Sequence, residues 1–500
     1  MAFQIPSKDA LRKMAARLGM DIDEDYANHA LAVLSGSIAS FRLIEQLPDE
    51  ALPVRYPRTP GHRPDPQDNP YGAWAVRTDI RGASHGKLGG RRIAIKDTVA
   101  IAGVPLMNGA SVLEGYVPEG DASIVTRILD AGGHIVGKSV CEYFSFAGGS
   151  VTSASGPVIS PRNPGHTTGG SSSGSAALLA AGEVDFAIGG DQAGSIRIPA
   201  SFSGVVGLKP TFGLVPYTGI MGLDYTIDHA GPMARTVADC ALLLEVLAGA
   251  DGIDGRQRNV RVEPYAEGLD RNLEGLRIGI VREGFDLPES NAGSDSVVRA
   301  AVKALAKAGA TVEEVSIPWH RYGLPLWSAI ANEGNYHTLF QGFGAGHLGD
   351  GAYPLSLITA LGALASRANE LPHTVKISAL LGCYTHSQYQ GRYYAKAQNL
   401  RRRLRREYDE KLDRFDLLAM PTLPFPTLPI PPVDAPVGDV IQHSWSMLAN
   451  TSPFNLTGHP AISVPCGETE GKPVGLMLIG RHFEDATVLR GAAACERTSR

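Results

Sequence analysis

No stretch of this 500-residue chain is apolar for the roughly 18 residues a membrane-spanning helix requires. The most apolar long run, Leu355 to Ala365, is too short, and Met1 to Met14 lacks the apolar core of a secretory signal. Cysteine is scarce. Cys141, Cys240, Cys383, Cys466 and Cys495 are odd in number, widely spread and contain no CxxC pair, which excludes a disulfide framework and a zinc knuckle. These absences together predict a protein of the reducing cytoplasm that does not enter a membrane. A basic excess is missing too: the net charge of -5 gives no electrostatic footprint for nucleic acid. The densest basic run, Arg401-Arg402-Arg403-Leu404-Arg405-Arg406, is followed by Glu407, Asp409 and Glu410 and reads as a solvated helix face. None of the 14 histidines forms HExxH or accompanies a GxSxG-like context, and no ligand cluster in the sequence asks for a metal.

What is present is an ordinary globular composition, 43% hydrophobic and 19% charged, with enough apolar mass for a large core. Ser7 is placed to cap a helix on which Leu11, Met14 and Leu18 recur, with Gly19 as its stop. A second helix carries Leu31, Leu34, Ile38 and Phe41 and ends before Pro48. Seven prolines from Pro48 to Pro70 then predict an extended connector, so residues 1–70 read as a helical arm and linker. Two such helices cannot bury both faces alone, so the arm is expected to meet the body or a second protomer. From about residue 75 short apolar strands alternate with amphipathic helices: Ile93 to Ile95, Ser123 to Ala131, Ile135-Val136 and Phe186 to Ile188. The stretch from about 260 to 440 reads as a smaller inserted α/β and helical part, with Leu276 to Val281 and Ala310 to Ile317 as strands and Ser294 to Lys307 as a helix. Ala461 to Val464 and Val474 to Ile479 complete an α/β pattern that one mixed, twisted sheet flanked by helices would satisfy.

Gly132-Gly133-His134-Ile135-Val136-Gly137-Lys138-Ser139 satisfies the phosphate-loop pattern GxxxxGK[ST]. That loop works only after a strand and before a helix, whereas here a helix precedes it and a strand follows, so it is discounted. More informative are two glycine/serine turns. Thr168-Gly169-Gly170-Ser171-Ser172-Ser173-Gly174-Ser175 leads into the helical Ala176 to Ala181, and Gly189-Gly190-Asp191-Gln192-Ala193-Gly194-Ser195 closes a strand. Turns of this kind bring hydroxyls and bare backbone N–H groups to one point, as acyl transfer needs. Lys96, ending the apolar Arg92-Ile93-Ala94-Ile95, is the candidate base, because burial lowers a lysine pKa toward a useful range.

These residues resemble the amidase signature family of serine hydrolases. The likeness is carried by Lys96-Asp97, Gly169-Gly170-Ser171-Ser172 and Gly194-Ser195-Ile196-Arg197-Ile198-Pro199-Ala200. It continues through Gly204 to Thr211, His229 to Val237, Asn455 to Ala461 and Val474 to Leu476. The arm, Asn69-Pro70-Tyr71 and Gly190-Asp191-Gln192 are similar to the amide hydrolases that act downstream of nitrile hydratases. The resemblance implies a catalytic domain over 71–500 with a large mixed sheet and a triad without histidine. In it Ser195 is the nucleophile, and Ser171, preceded by a cis peptide, relays the proton to Lys96. The backbone N–H groups of Gln192, Ala193, Gly194 and Ser195 are the implied oxyanion hole, with Asp191 and Arg197 bracing the turn and no metal or organic cofactor required.

Two departures stand out: Ser173 and Ala193 replace glycines common in the family, and a methyl at Ala193 predicts an ordinary negative φ there. Tyr143, Phe144, Phe146, Gly169, Gly170, Ile227, Trp327 and Asn450 are the candidate substrate contacts. An aromatic lining suits apolar, aryl or small aliphatic amides. The expected activity is that of an acylamide amidohydrolase releasing an acid and ammonia or an amine, in a homodimer joined by the arm. An ammonia-generating component of tRNA-dependent amidotransfer, fed by glutamine, and an aryl-anilide hydrolase are the rivals. A Cys-Glu-Lys arrangement through Cys141-Glu142 and a non-catalytic scaffold are weaker alternatives.

Overall fold

In the computed structural model, which describes residues 4–285, 287–346 and 349–499, the short apolar runs become a single 11-stranded sheet. Its strands are β1 (Trp74–Arg81), β2 (Arg92–Lys96), β3 (His134–Ser139), β4 (Phe186–Asp191), β5 (Val206–Lys209), β6 (His229–Ala234), β7 (Arg277–Val281), β8 (Thr311–Val315), β9 (Leu417–Pro421), β10 (Ala461–Thr469) and β11 (Lys472–Ile479). They lie in the order β1-β3-β2-β4-β6-β5-β10-β11-β9-β7-β8. β2 runs parallel to β3 and β4, and β7 parallel to β8 and β9, while the remaining pairs are antiparallel. Burial on both faces explains the continuous apolar character of β2 and β4.

The helices are α1 (Lys8–Arg17), α2 (Glu24–Gln46), α3 (Ser123–Asp130), α4 (Ser173–Ala180), α5 (Arg197–Ser203), α6 (Val237–Leu247) and α7 (Ala292–Lys307). After them come α8 (Gly323–Asn335), α9 (Leu355–Leu361), α10 (His373–Tyr389), α11 (Arg392–Leu412), α12 (Val437–Trp445), α13 (Pro453–Thr457) and α14 (Asp485–Thr498). Among the described residues no helix is long and apolar enough to cross a membrane. The basic run lies on α11, as a helix face.

One boundary differs from expectation. The chain forms two compact units that part at Ala51 and Leu52, so the proline-rich stretch from Pro53 to Pro70 belongs to the larger unit. Polar contacts hold it there: Tyr56 donates to Asp130 at 2.7 Å, Arg58 pairs with Asp121, and His62 exchanges backbone hydrogen bonds with Arg77. Within the 260–440 segment, β9, β7 and β8 extend the main sheet beyond β11. In the smaller unit, Ser7 and Asp23 cap α1 and α2 through the N–H groups of Ala10 and Tyr26, and Gly19 (φ +74°) stops α1. These helices bury only Ala15, Ala27 and Ile38. The discounted phosphate-loop pattern is β3 itself, with Lys138 buried and paired to Asp97 at 2.9 Å.

Candidate active site

Lys96 ends β2, and the parallel partner β4 ends at Asp191, so both turns open at the same edge of the sheet. Ser171 lies two residues before α4 and Ser195 two residues before α5. Each hydroxyl therefore stands near the positive end of a helix, where a developing negative charge is favoured. Ser172 stitches the turns together: its Oγ donates to the Gly190 carbonyl at 3.1 Å and accepts from the Gly190 N–H at 3.2 Å, while its own N–H donates to the Ser195 carbonyl at 3.2 Å.

Lys96 is fully buried, and its Nζ lies 2.7 Å from Ser171 Oγ and 3.4 Å from the Gly190 carbonyl. Burial drives its pKa down to about 8, against an opposing pull from Cys141, Asp191, Glu142 and Asp228. A neutral amine is thus within reach near physiological pH. The Gly170-Ser171 peptide is cis. Glycine is needed at 170, where a Cβ would lie 2.8 Å from Glu142 Cγ.

Asp191 and Arg197, both fully buried, form a bidentate pair with Nε–Oδ2 and Nη2–Oδ1 each at 3.0 Å. Burial alone would raise the Asp191 carboxyl, but the Arg197 guanidinium holds it well below the usual range. Its Oδ1 also accepts the Gly194 N–H at 2.7 Å. Of the four N–H groups expected to meet an oxyanion, that of Gly194 is committed to this bond, whereas those of Gln192, Ala193 and Ser195 have no protein acceptor among the described residues. Ala193 keeps a negative φ, as its methyl requires. The left-handed region is taken instead by Gly194 (φ +135°), where a Cβ would strike the Thr451 hydroxyl.

The turn is also gripped from behind. Three consecutive carbonyls accept side-chain donors: Asp191 from Asn455 Nδ2 at 2.8 Å, Gln192 from Trp327 Nε1 at 2.7 Å and Ala193 from Thr451 Oγ1 at 2.5 Å. Such pinning fixes the peptide planes and hence the directions of their N–H groups. Asp191→Asn leaves the Arg197 cation buried without its counter-charge, so unfolding stability at neutral pH should fall by about 3–5 kcal/mol. Chemical denaturation checks this, and an unchanged midpoint would dismiss the pair as the brace of the turn.

Ser195 opens on a narrow cleft lined by Ser145, Phe146, Ala147, Gly148, Gln192, Ala193, Leu223, Trp327, Trp445 and Leu448. Its hydroxyl makes no hydrogen bond to another described residue. Phe146 stacks on Trp327 with ring centres 6.4 Å apart and meets Trp445 edge-on at 6.0 Å. None of the lining side chains is charged.

Of the predicted contacts, Phe146 and Trp327 line this cleft, and Gly169 and Gly170 shape the backbone that presents Ser171. Four others lie elsewhere. Tyr143 turns its hydroxyl to Ser111 at 3.1 Å, and Phe144 takes φ +48° beside it. Ile227 is fully buried, its carbonyl bound to His229. Asn450 is a strut: its Nδ2 donates to the Gly284 and Pro421 carbonyls at 2.9 Å, and its Oδ1 meets His320 Nε2 at the same distance. Sequence reasoning missed Leu223, Trp445 and Leu448. Trp445, one of only four tryptophans, was the one with a signal. The Cys141-Glu142 alternative also fails. Burial pushes the Cys141 thiol up to about 12, and the Glu142 carboxylate is taken by the N–H groups of Thr152 at 2.7 Å and Val151 at 3.2 Å.

A family model described as Amidase matches residues 72–489. A protein named enantioselective amidase from Rhodococcus rhodochrous is 44% identical over 476 residues, covering 94% of this chain and 90% of that one. A glutamyl-tRNA(Gln) amidotransferase subunit from Methanosarcina acetivorans is 37% identical over 431 residues, covering 85% and 87%. The crystal structure of the Thermotoga maritima protein of the same name superposes with a TM-score of 0.71 at 30% identity, over 84% of this chain and 86% of that one. The 6% of this chain outside the Rhodococcus match is about 30 residues, fewer than the 51 of the smaller unit, so that match must enter the helical arm. The 15% outside the Methanosarcina match, about 75 residues, is long enough to leave the arm out.

Proposed function

The chain belongs to the amidase family, and from that premise we propose that it is an acylamide amidohydrolase acting on apolar or aryl carboxamides through a Ser195 acyl-enzyme. The observation that carries this reading is the contact of buried Lys96 with Ser171 beside an uncharged aromatic cleft that ends at Ser195. Neutral Lys96 takes a proton from Ser171 as Ser171 takes one from Ser195, whose Oγ bonds to the amide carbon. The carbonyl oxygen, now negative, is met by the free N–H groups of Gln192, Ala193 and Ser195. The proton returns through Ser171 to the leaving nitrogen, the C–N bond breaks, and ammonia or an amine departs. Water then enters by the same relay, and the acid is released.

The amidotransferase-type reading is disfavoured by the cleft. Glutamine would bring an ammonium and a carboxylate into a site whose lining offers neither a partner, and an unpaired buried charge is costly. An aryl-anilide substrate fits the same apolar box and differs only in its leaving group. The test is ammonia release by the purified chain alone: kcat/KM for benzamide should exceed that for glutamine by more than about 100-fold. Comparable glutamine turnover, or activity that appears only with a partner protein, would replace this reading with the amidotransferase one.

A homodimer joined by the arm, in the cytoplasm, completes the proposal. Leu18, Val33, Ile44 and Leu47 expose 61–79% of their surface on or beside α1 and α2, and the five cysteines are free thiols suited to a reducing compartment. Sedimentation of the same preparation should give twice the chain mass, and cell fractionation checks the compartment.

A further inference from the structure

We propose that Glu333, His337 and His386 bind one divalent transition-metal ion, of the zinc, nickel or cobalt class, remote from the Ser195 cleft. Glu333 lies near the end of α8, His337 on the π-helical segment Tyr336–Gln341 that continues it, and His386 on α10. Glu333 Oε1 lies 3.9 Å from His337 Nε2 and 3.7 Å from His386 Nδ1, and the three ligand atoms fall within 4.8 Å of one another. An ion held at about 2.0–2.1 Å would draw each imidazole nitrogen toward Glu333 Oε1 by about half an ångström and bring the two nitrogens toward each other. The two imidazoles stand perpendicular, at 89° with centres 4.6 Å apart, so their nitrogens converge without the rings stacking.

The neighbours of these atoms orient them. Among the described residues, buried His386 Nδ1 has no hydrogen-bond partner. His337 Nδ1 is bonded to Gln341 Oε1, an acceptor, which places the proton on Nδ1 and leaves a lone pair on Nε2. Gln341 is held in turn by its Nε2–H donating to the Tyr336 hydroxyl at 3.4 Å. The Glu333 side chain is 2% exposed, and its other oxygen lies 3.1 Å from the Thr385 hydroxyl. Outer partners of this kind orient metal-binding imidazoles and carboxylates. Two imidazoles and one carboxylate suit transition metals rather than magnesium or calcium. The histidine side chains are 34% and 39% exposed, which leaves a way in and room for water as a fourth ligand.

The other comparable cluster among the described residues, Asp409, His459 and His482, differs in kind. His459 Nε2 already meets Asp409 at 2.9 Å, His482 Nε2–H donates to the Thr457 carbonyl at 2.9 Å, and the Arg405 guanidinium lies 3.4 Å from His482 Nδ1, repelling any ion. An ion at Glu333 would instead tie α8 to α10. Six residues earlier, about 9 Å along the helix, α8 carries Trp327, which lines the cleft and donates to Gln192. The ion would therefore stiffen one wall of the cleft without touching the reacting atoms.

The test is calorimetric titration of the untagged, chelator-treated full chain with Zn²⁺ alone, with Tm read in parallel. One equivalent should bind and raise Tm. His386→Ala, at a partly exposed position, should weaken binding by more than about 100-fold and abolish the rise, whereas Gln341→Ala should weaken it by about 10-fold, as loss of an orienting partner does. Absence of saturable binding, or binding equally strong in a His337→Ala/His386→Ala double variant, overturns the proposal.

Discussion

Ser195→Ala is expected to lower kcat for a simple amide by a factor on the order of 10⁶, or about 8 kcal/mol of barrier. The residue occupies the mouth of the cleft, two positions ahead of α5, with its hydroxyl bound to no other described residue. Removing one oxygen there disturbs no hydrogen bond that supports the turn, so the variant should keep the parent Tm. The loss then reads chemistry and not folding. Residual turnover should reflect substrate binding and the free N–H groups of the turn, because the parts of a nucleophilic relay fail together and not additively. Ammonia release under saturating amide measures the effect. Hydrolysis at the parent rate would remove Ser195 from the reaction and the acyl-enzyme with it.

Lys96→Ala carries the second large effect, a fall of about 10²–10⁴ in kcat/KM, the range that general-base catalysis supplies. The same lysine sets the pH profile. Burial lowers its pKa to about 8, so below that value the amine is mostly protonated and cannot accept from Ser171. Activity should rise with pH through about 8 and level off above it. Lys96→Arg should be as inactive as alanine, since a guanidinium keeps its proton at any usable pH. A profile flat across neutral pH, or an active arginine variant, would assign the base elsewhere.

The burial of Lys96 was legible because an apolar run ending in lysine reads as a buried strand end, and the two glycine/serine turns because each is flanked by packing segments. The mixed sheet was legible from β2, β3, β4, β7, β8, β10 and β11. Hidden from local reasoning were β1, β5, β9 and β6, the last of which contains Gly231 and Pro232. Pro232 is tolerated because the ladder to β5 pairs only Met233 and Ala234. The pocket was half legible. Tyr143, Phe144 and Phe146 are neighbours in sequence, yet φ values of +48° and +59° at Phe144 and Ser145 swing only Phe146 into the cleft. Trp445 meets it from the far end of the chain, which no local spacing encodes. Likewise Glu333 and His337 form a visible i, i+4 pair, but His386 joins them only through the packing of α10 on α8.

The three side chains that grip the carbonyls of Asp191, Gln192 and Ala193 come from 135, 258 and 264 positions further along the chain. Two of them, Thr451 and Asn455, belong to its last tenth. During synthesis from the N-terminus, Lys96, Ser171 and Ser195 are therefore all made long before their turn can be set. A nascent or C-terminally clipped chain would carry the proposed reacting groups without the side chains that fix their turn, so on this reading catalytic competence is among the last properties the protein acquires and among the first that loss of its tail would erase.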